Sequence, residues 1–335
     1  MGRKAVFLAN RNHNSIQQVY NDDMMRQLNE LVDLHPDIID RGLLEEHRDL
    51  LREAEIAFST WGMFELTPDE IGRYLPNLKA VFYAAGSVQY FARPFLDRQI
   101  MVVSAWAANS IPVAEYTVAQ ILLANKGILP TLSRCKHDRG EADRFAQNYP
   151  GNYGTKVGIL GMGMIGSKVV ELLRPYQLEV YVYDPFLTEE RAKAAGVRQT
   201  DLETIFAECQ TISNHLANNP QTVGILNKAH FGRMQPYATF INTGRGAQVA
   251  EQDLIRAMRE VPTRTALLDV TYPEPPLPDS ELLTLDNVWL TPHVAGSQQR
   301  EVVRMAEFMV EECRHYLAGE TVNYQVTPAM LATMA

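Results

Sequence analysis

The sequence predicts an α/β protein built on two doubly wound parallel sheets, and three observations carry that prediction. Two separate stretches alternate short apolar runs with polar, helix-like ones, the pattern of a parallel sheet covered on both faces. A long run with helical spacing divides the two stretches. The chain is 335 residues long, enough for roughly two domains of ordinary size, each with its own core.

The first alternation runs through "AVFLA" at 5–9, "MMRQLNELV" at 24–32, "AEIAFST" at 54–60, "PDEIGRYL" at 68–75, "KAVFYAA" at 79–85 and "QIMVVSA" at 99–105. "NSIPVAEYTVAQILLANKGI" at 109–128 then has the apolar spacing of a long buried helix. The polar, aromatic and glycine-bearing stretch "SRCKHDRGEADRFAQNYPGNYG" reads as an exposed arm or loop. The second alternation starts at "KVGIL" (156–160) and continues through "LEVYVYD" (178–184), "TISNHL" (211–216), "ATFINTG" (238–244), "RTALLDV" (264–270) and "NVWLTPH" (287–293). "QQREVVRMAEFMVEECRHYLAG" closes the chain with helical periodicity. There is no internal repeat or low-complexity tract.

Composition excludes several function classes. Hydrophobic residues make up 46% and charged residues 21%, the balance of a globular protein. A net charge of -9, from 31 basic and 40 acidic residues, gives no broad electrostatic footprint for nucleic acid or anionic lipid. Cys135, Cys209 and Cys313 lie far apart, so neither a disulfide framework nor a zinc site is expected, and a reducing compartment fits them. The apolar run near the N-terminus is too short for a signal-peptide core and reads as a first strand. No apolar stretch approaches the roughly 20 residues that cross a bilayer. The expectation is a cytoplasmic protein without a metal.

"KVGILGMGMIGSKVVELL" carries Gly161, Gly163 and Gly166 in G-x-G-x-x-G spacing, after an apolar strand and opening a helical pattern. The first glycine permits a tight turn, the second lets a pyrophosphate approach the backbone, and the third lets helix and strand pack closely. The helix N-terminus offers free amides to the phosphates. Asp184 ends the next strand, roughly 20 residues on, where a carboxylate can accept hydrogen bonds from ribose hydroxyls. Pro185 and Phe186 follow, with no arginine for a 2′-phosphate, which favours NAD over NADP. A structural glycine turn and a methyltransferase are the competing readings of this segment alone.

With "VGILGMGMIG", "INTGRGAQV" at 241–249, "LLDVTYPEPP" at 267–276 and "LTPHVAG" at 290–296, the chain resembles the D-isomer-specific 2-hydroxyacid dehydrogenase family over nearly its whole length. The resemblance implies a Rossmann NAD-binding domain over residues 109–297, inserted into a flavodoxin-like substrate domain made of residues 1–108 and 298–335. The active site would lie in the cleft between them, with hinges near 108 and 297. It also implies a cofactor site of Gly161, Gly163, Met164, Ile165, Gly166, Asp184, Thr243, Asp269 and Gly296.

The catalytic set that the resemblance implies is Arg245, Glu274 and His293. Arg245 stands between Gly244 and Gly246, where little side-chain bulk obstructs a ligand, and its planar fork of donors suits a carboxylate and the neighbouring carbonyl. His293 would donate a proton to the keto oxygen as hydride arrives, or take one in reverse. Glu274, between Pro273 and Pro275, would orient that ring and stabilise its imidazolium. Asp269 would contact the nicotinamide carboxamide, although a carboxylate capping a strand end is an alternative. Backbone amides around Gly86 and Ser87 would meet the substrate carboxylate, with Arg245 as the charged partner.

The sequence departs from the family in places. Gln89 and Tyr90 follow the 86–87 turn where an acid is usual, Ala217 stands where proline is frequent, and Tyr116 stands where histidine is common. The last two are not expected to touch the chemistry directly. Arg11, His13 and Trp61 lie on loops after strands and suit either a cleft lining or the surface. His13, His35, His47, His137 and His230 read as surface or packing residues. The implied function is an NAD-dependent oxidoreductase that interconverts a small 2-keto acid and its D-2-hydroxy acid, as a homodimer. Glyoxylate, hydroxypyruvate and phosphoglycerate-like acids are all open. A formate dehydrogenase is disfavoured because that relative has glutamine where Glu274 stands. An NAD-sensing corepressor on the same fold is the alternative, and turnover of NADH with a panel of 2-keto acids separates the two.

Overall fold

The structure is a computed structural model and describes residues 2–10 and 15–332; Arg11 and His13 lie outside the described residues. The chain separates into two compact units, Met1–Ser110 with Ser297–Ala335, and Ile111–Gly296. In sequence, the second interrupts the first.

The first unit is built on β1 (Lys4–Leu8), β2 (Asp33–Ile39), β3 (Ile56–Ser59), β4 (Ala80–Tyr83) and β5 (Met101–Ser104). These pair in parallel in the order β2-β1-β3-β4-β5, a flavodoxin-like sheet. Every residue of β3 and β4 is buried, as strands covered on both faces require. The helix Pro68–Tyr74 opens on a capping box in which Thr67 and Glu70 satisfy each other's backbone amides, with proline at the first helical position. β2 has no counterpart in the sequence reading. Its "DLHPDII" holds a proline that cannot donate to a ladder, and the register with β1 shifts between Ala5 and Phe7 to accommodate it, which is tolerable only at a sheet edge.

The last helix, Glu301–Ala318, buries Val302, Met305, Met309 and Val310 at helical spacing. The chain then returns along β5: Ser104 donates its amide to the Tyr324 carbonyl and Val326 donates to Val102, which covers that sheet edge. The amide of Ser297 donates to Asn109 Oδ1 at 3.3 Å, so the points where the chain leaves and re-enters this unit are tied together.

The second unit holds β6 (Lys156–Leu160), β7 (Glu179–Tyr183), β8 (Arg198–Gln199), β9 (Thr211–Asn214), β10 (Thr239–Asn242), β11 (Thr265–Leu268) and β12 (Val288–Leu290). All pair in parallel in the order β12-β11-β10-β9-β6-β7-β8, the doubly wound order of a Rossmann domain. Successive side chains serve opposite faces: Phe240 and Leu268 pack in one apolar cluster, Ile241 and Leu267 in the other.

The long helix spans Trp106–Ala124 and starts earlier than its apolar spacing suggests, with Pro112 inside it. The stretch read as an arm or loop is in part helical. Helices Ile128–Cys135 and Arg139–Ala146 form there; Asp138 caps the second through the amides of Gly140 and Glu141, and the Arg134 guanidinium lies 3.6 Å from the Phe145 ring centroid. Charged residues on the exposed sides of two short helices hide an apolar period from the sequence. Cys209 and Cys313 are buried, and burial pushes each thiol up to about 12; Cys135 is exposed. Among the described residues no helix is long and apolar enough to cross a membrane.

Candidate active site

β6 runs into the glycine turn, and each glycine there answers a different steric demand. Gly161 has φ 91, and a Cβ on it would lie 2.6 Å from the His215 carbonyl oxygen. A Cβ on Gly166 would lie 1.9 Å from the Gly161 carbonyl, so the helix Met164–Leu173 sits directly on the turn. At Gly163 nothing lies within 4 Å of a built Cβ, which leaves open space over the helix N-terminus. Ser167 is the first amide to close a helical bond, onto Gly163. The amides of Met164, Ile165 and Gly166 therefore have no intrahelical acceptor.

The Asp184 carboxylate is fixed by that turn: Oδ2 accepts from the Met162 amide at 2.6 Å and Oδ1 from the Phe186 amide at 2.7 Å. Each oxygen keeps a further lone pair for a hydroxyl donor.

Beyond β9, His215 is buried between Ser213, whose hydroxyl lies 2.9 Å from Nε2, and Thr243, 3.4 Å from Nδ1. Burial pushes its pKa down to about 3. The unfolded ring binds a proton near 6.5 and the folded ring does not, so stability is complete above that value and is lost as pH falls from about 6.5 toward 3. The stability lost by pH 4 is on the order of 3 kcal/mol. A His215→Gln variant should therefore lose less Tm than the parent between pH 7 and pH 4; equal losses in the two scans would refute the assignment.

The turn after β10 presents Arg245. Asn214 and Asn242, register partners at the ends of β9 and β10, and Gln248 form a buried amide network beneath it. Asn214 Nδ2 donates to Asn242 Oδ1 at 3.0 Å and to Gln248 Oε1 at 2.6 Å. Asn242 accepts from the Gly244 amide and donates to the Arg245 carbonyl. The flanking glycines also answer a packing demand: a Cβ on Gly246 would lie 2.0 Å from the Thr271 carbonyl carbon, and one on Gly244 3.1 Å from both Asn214 Nδ2 and Gln248 Oε1. Arg245 Nη1 donates to the Gly244 carbonyl at 2.9 Å. Burial lowers the guanidinium pKa from its ordinary value and the nearby Glu274 charge opposes that, so the side chain stays cationic at neutral pH.

Asp269 is buried where β11 ends, and it organises the loop that carries the histidine. Its Oδ1 accepts from Thr291 Oγ1 at 2.6 Å and the Val294 amide at 2.8 Å, and its Oδ2 from the Ala295 amide at 2.9 Å. One lone-pair direction on Oδ2 is left for a carboxamide. His293 stands in this loop at φ 54, a left-handed conformation that costs a residue with a side chain of order 1 kcal/mol and persists only where its surroundings enforce it. Its amide donates to the Asp269 and Thr291 carbonyls. The ring meets Glu274: Nδ1 lies 2.6 Å from Oε1, with both side chains about half exposed. A carboxylate on Nδ1 places the remaining ring nitrogen, Nε2, outward for proton exchange. Tyr116, expected to play no direct part, reaches this loop through Thr291, with its hydroxyl 3.3 Å from Thr291 Oγ1.

The second unit thus brings Arg245, Glu274 and His293 into one neighbourhood. In the first unit, Gly86 and Ser87 follow β4 in a turn held by Ser104, whose hydroxyl donates to the Ala85 and Gly86 carbonyls. Among the described residues no acceptor is shown for the amides of Gly86, Ser87 and Val88. Gln89 Nε2 donates to the Leu331 carbonyl at 2.6 Å.

A family model described as D-isomer specific 2-hydroxyacid dehydrogenase, NAD binding domain, matches residues 118–295, just over half of the chain. The chain belongs to that family. It is 32% identical to D-3-phosphoglycerate dehydrogenase of Archaeoglobus fulgidus over 230 residues, 69% of this chain and 43% of the relative. It is 31% identical to the Synechocystis enzyme of the same description over 244 residues, 72% of this chain and 44% of that one. The aligned part of the chain thus spans less than half the length of these curated relatives. In fold it is similar to the apo form of Rhodotorula graminis D-mandelate dehydrogenase, with a TM-score of 0.79 at 18% identity over 97% of each chain.

The cofactor is NAD, and the glycine turn fits it. Open space at Gly163, three amides without intrahelical acceptors and a pre-set carboxylate at Asp184 match a pyrophosphate and a ribose. A 2′-phosphate would meet the Asp184 carboxylate, so NADH should bind more tightly than NADPH, and Asp184→Ala should weaken NADH binding and narrow the preference. Fluorescence titration with both nucleotides checks this; tighter NADPH binding by the unaltered protein would refute it.

Asn214, Asn242, Gln248 and Thr291 were missed from the sequence. Two asparagines ending adjacent apolar strands were the signal available for the first pair, since a buried amide needs partners. Gln248 and Thr291 stand inside the motifs at 241–249 and 290–296, but nothing in those motifs assigns either a role.

Proposed function

We propose that the protein interconverts a small 2-keto acid and its D-2-hydroxy acid, with His293 as proton donor and acceptor, Glu274 holding its ring and Arg245 holding the substrate carboxylate and polarising the carbonyl. The observation that supports this most is the 2.6 Å contact between His293 Nδ1 and Glu274 Oε1 in the same unit as Arg245. When bound, NADH supplies the hydride. His293 gives a proton to the keto oxygen during reduction and recovers one from the hydroxyl during oxidation, while Glu274 stabilises the ring's charged form between the two. Arg245, held at Gly244, offers the rest of its fork to the acid and the carbonyl that gains negative charge.

Residues 111–296 then serve as the cofactor domain and residues 1–110 with 297–335 as the substrate domain, where the amides of the 86–88 turn suit a carboxylate. Thr243, Asp269 and Gly296 are assigned to the nicotinamide end. The resemblance also carries a homodimeric assembly. The test is NADH oxidation with a panel of 2-keto acids that includes glyoxylate, hydroxypyruvate and its phosphate. Turnover with at least one, giving the D-hydroxy acid, is the expected outcome. Tight NADH binding with no turnover across the panel would refute it and favour a nucleotide-sensing role.

A further inference from the structure

We propose that Gln248 is the positioning residue for Arg245, and that it ties the Arg245 turn to the loop behind the phosphate-binding glycines. This rests on the reading of Arg245 as the substrate-binding cation.

Gln248 is fully buried and uses its whole amide. Oε1 accepts from Asn214 Nδ2 at 2.6 Å and from the Arg245 backbone amide at 3.3 Å. Nε2 donates to the Leu216 carbonyl at 2.7 Å and the Ala217 carbonyl at 2.9 Å. One side chain therefore grips the backbone of Arg245 and, at its other end, the loop whose His215 carbonyl lies against Gly161. Asn242 completes the grip by donating to the Arg245 carbonyl at 3.2 Å. Both backbone polar groups of Arg245 are thus held by buried side chains that contact neither a charge nor solvent. An apolar residue at 248 would fill the space without a partner for the Arg245 amide. A fully satisfied buried amide fixes a single geometry, and a displacement of about 1 Å in a substrate-holding residue is enough to cost roughly 100-fold in rate.

The test is a double-mutant cycle between Gln248→Met, which conserves volume, and Arg245→Lys. It is read on keto-acid kcat and KM, on binding of the keto-acid analogue oxamate to the NADH-loaded protein, on NADH affinity and on Tm. Gln248→Met alone should lower kcat/KM at least tenfold and weaken oxamate comparably, with NADH affinity within twofold of the parent. In the Arg245→Lys background the same change should cost less than threefold, because its effect is carried by the arginine. Gln248→Ala, which opens space for water to meet the freed Arg245 amide and the Leu216 and Ala217 carbonyls, serves if the methionine variant does not fold and should show the same loss of oxamate binding, again reduced to less than threefold in the Arg245→Lys background. Equal losses from Gln248→Met in both backgrounds, or a parallel loss of NADH affinity, would make Gln248 a general packing residue and overturn the proposal. Parent-like oxamate binding by Arg245→Lys would instead remove Arg245 from the site, and the proposal with it.

Discussion

Replacing His293 with alanine should lower keto-acid reduction by about three orders of magnitude, within the range that a positioned general acid contributes, while NADH affinity stays within about twofold. The ring's hydrogen-bond partner is Glu274, the backbone amide of His293 is held by the Asp269 and Thr291 carbonyls, and among the described residues no hydrogen bond joins His293 to the glycine turn. Stopped-flow reduction and NADH titration on the same preparation separate the two effects. Retention of a tenth of the activity would remove His293 from proton transfer. Glu274→Gln should give a milder change, because an amide keeps an acceptor for the ring but loses the charge-assisted contact at Nδ1: kcat for reduction should fall by about tenfold with NADH affinity unchanged. Parent-like reduction by that variant would remove Glu274 from the site.

Arg245→Lys should reduce kcat/KM by about two orders of magnitude, equivalent to roughly 3 kcal/mol of transition-state stabilisation. The wild-type fork is anchored by Nη1 on the Gly244 carbonyl, and its other donors lie in a fixed plane. A lysine ammonium at 245 is a point charge on a flexible stem. Once it contacts Gly244, it cannot also present two parallel donors to an acid. The loss should appear in both KM and kcat, since the ground-state carboxylate and the developing oxyanion each lose a contact. Near-normal kinetics with the preferred keto acid would refute the assignment.

Much of the architecture was legible because buried parallel strands are short continuous apolar runs. β3, β4, β9 and β10 are buried throughout and stand within the runs that announce them. β2 escaped for the converse reason: an edge strand can carry Pro36, His35 and two aspartates, and it looks like loop. The glycine turn was legible because each glycine there answers a backbone clash or an opening. Gly244 and Gly246 meet a second demand that a motif does not display, since the atoms packed against them belong to Gln248 nearby and to Asn214 and Thr271 on other strands' ends. Glu274 stood out because prolines bracket it. The amide network under Arg245 had no comparable mark, because a glutamine that will be buried and one that will be solvated are the same letter until the chain closes around it.

The hydrogen bond from Ser297 to Asn109 bears on modularity. The chain departs from the first unit and returns to it at two neighbouring points, so that unit's flavodoxin-like sheet and its final helix need only a very short bridge to become one continuous polypeptide. Its apolar cluster draws only on residues before 109 and after 301. A gene in which a few glycine and serine codons replace those for residues 111–296 should encode a cooperatively folding miniature protein. The same junction is where a nucleotide-binding segment from another member of the family could be exchanged to alter cofactor preference without changing a residue of the first unit.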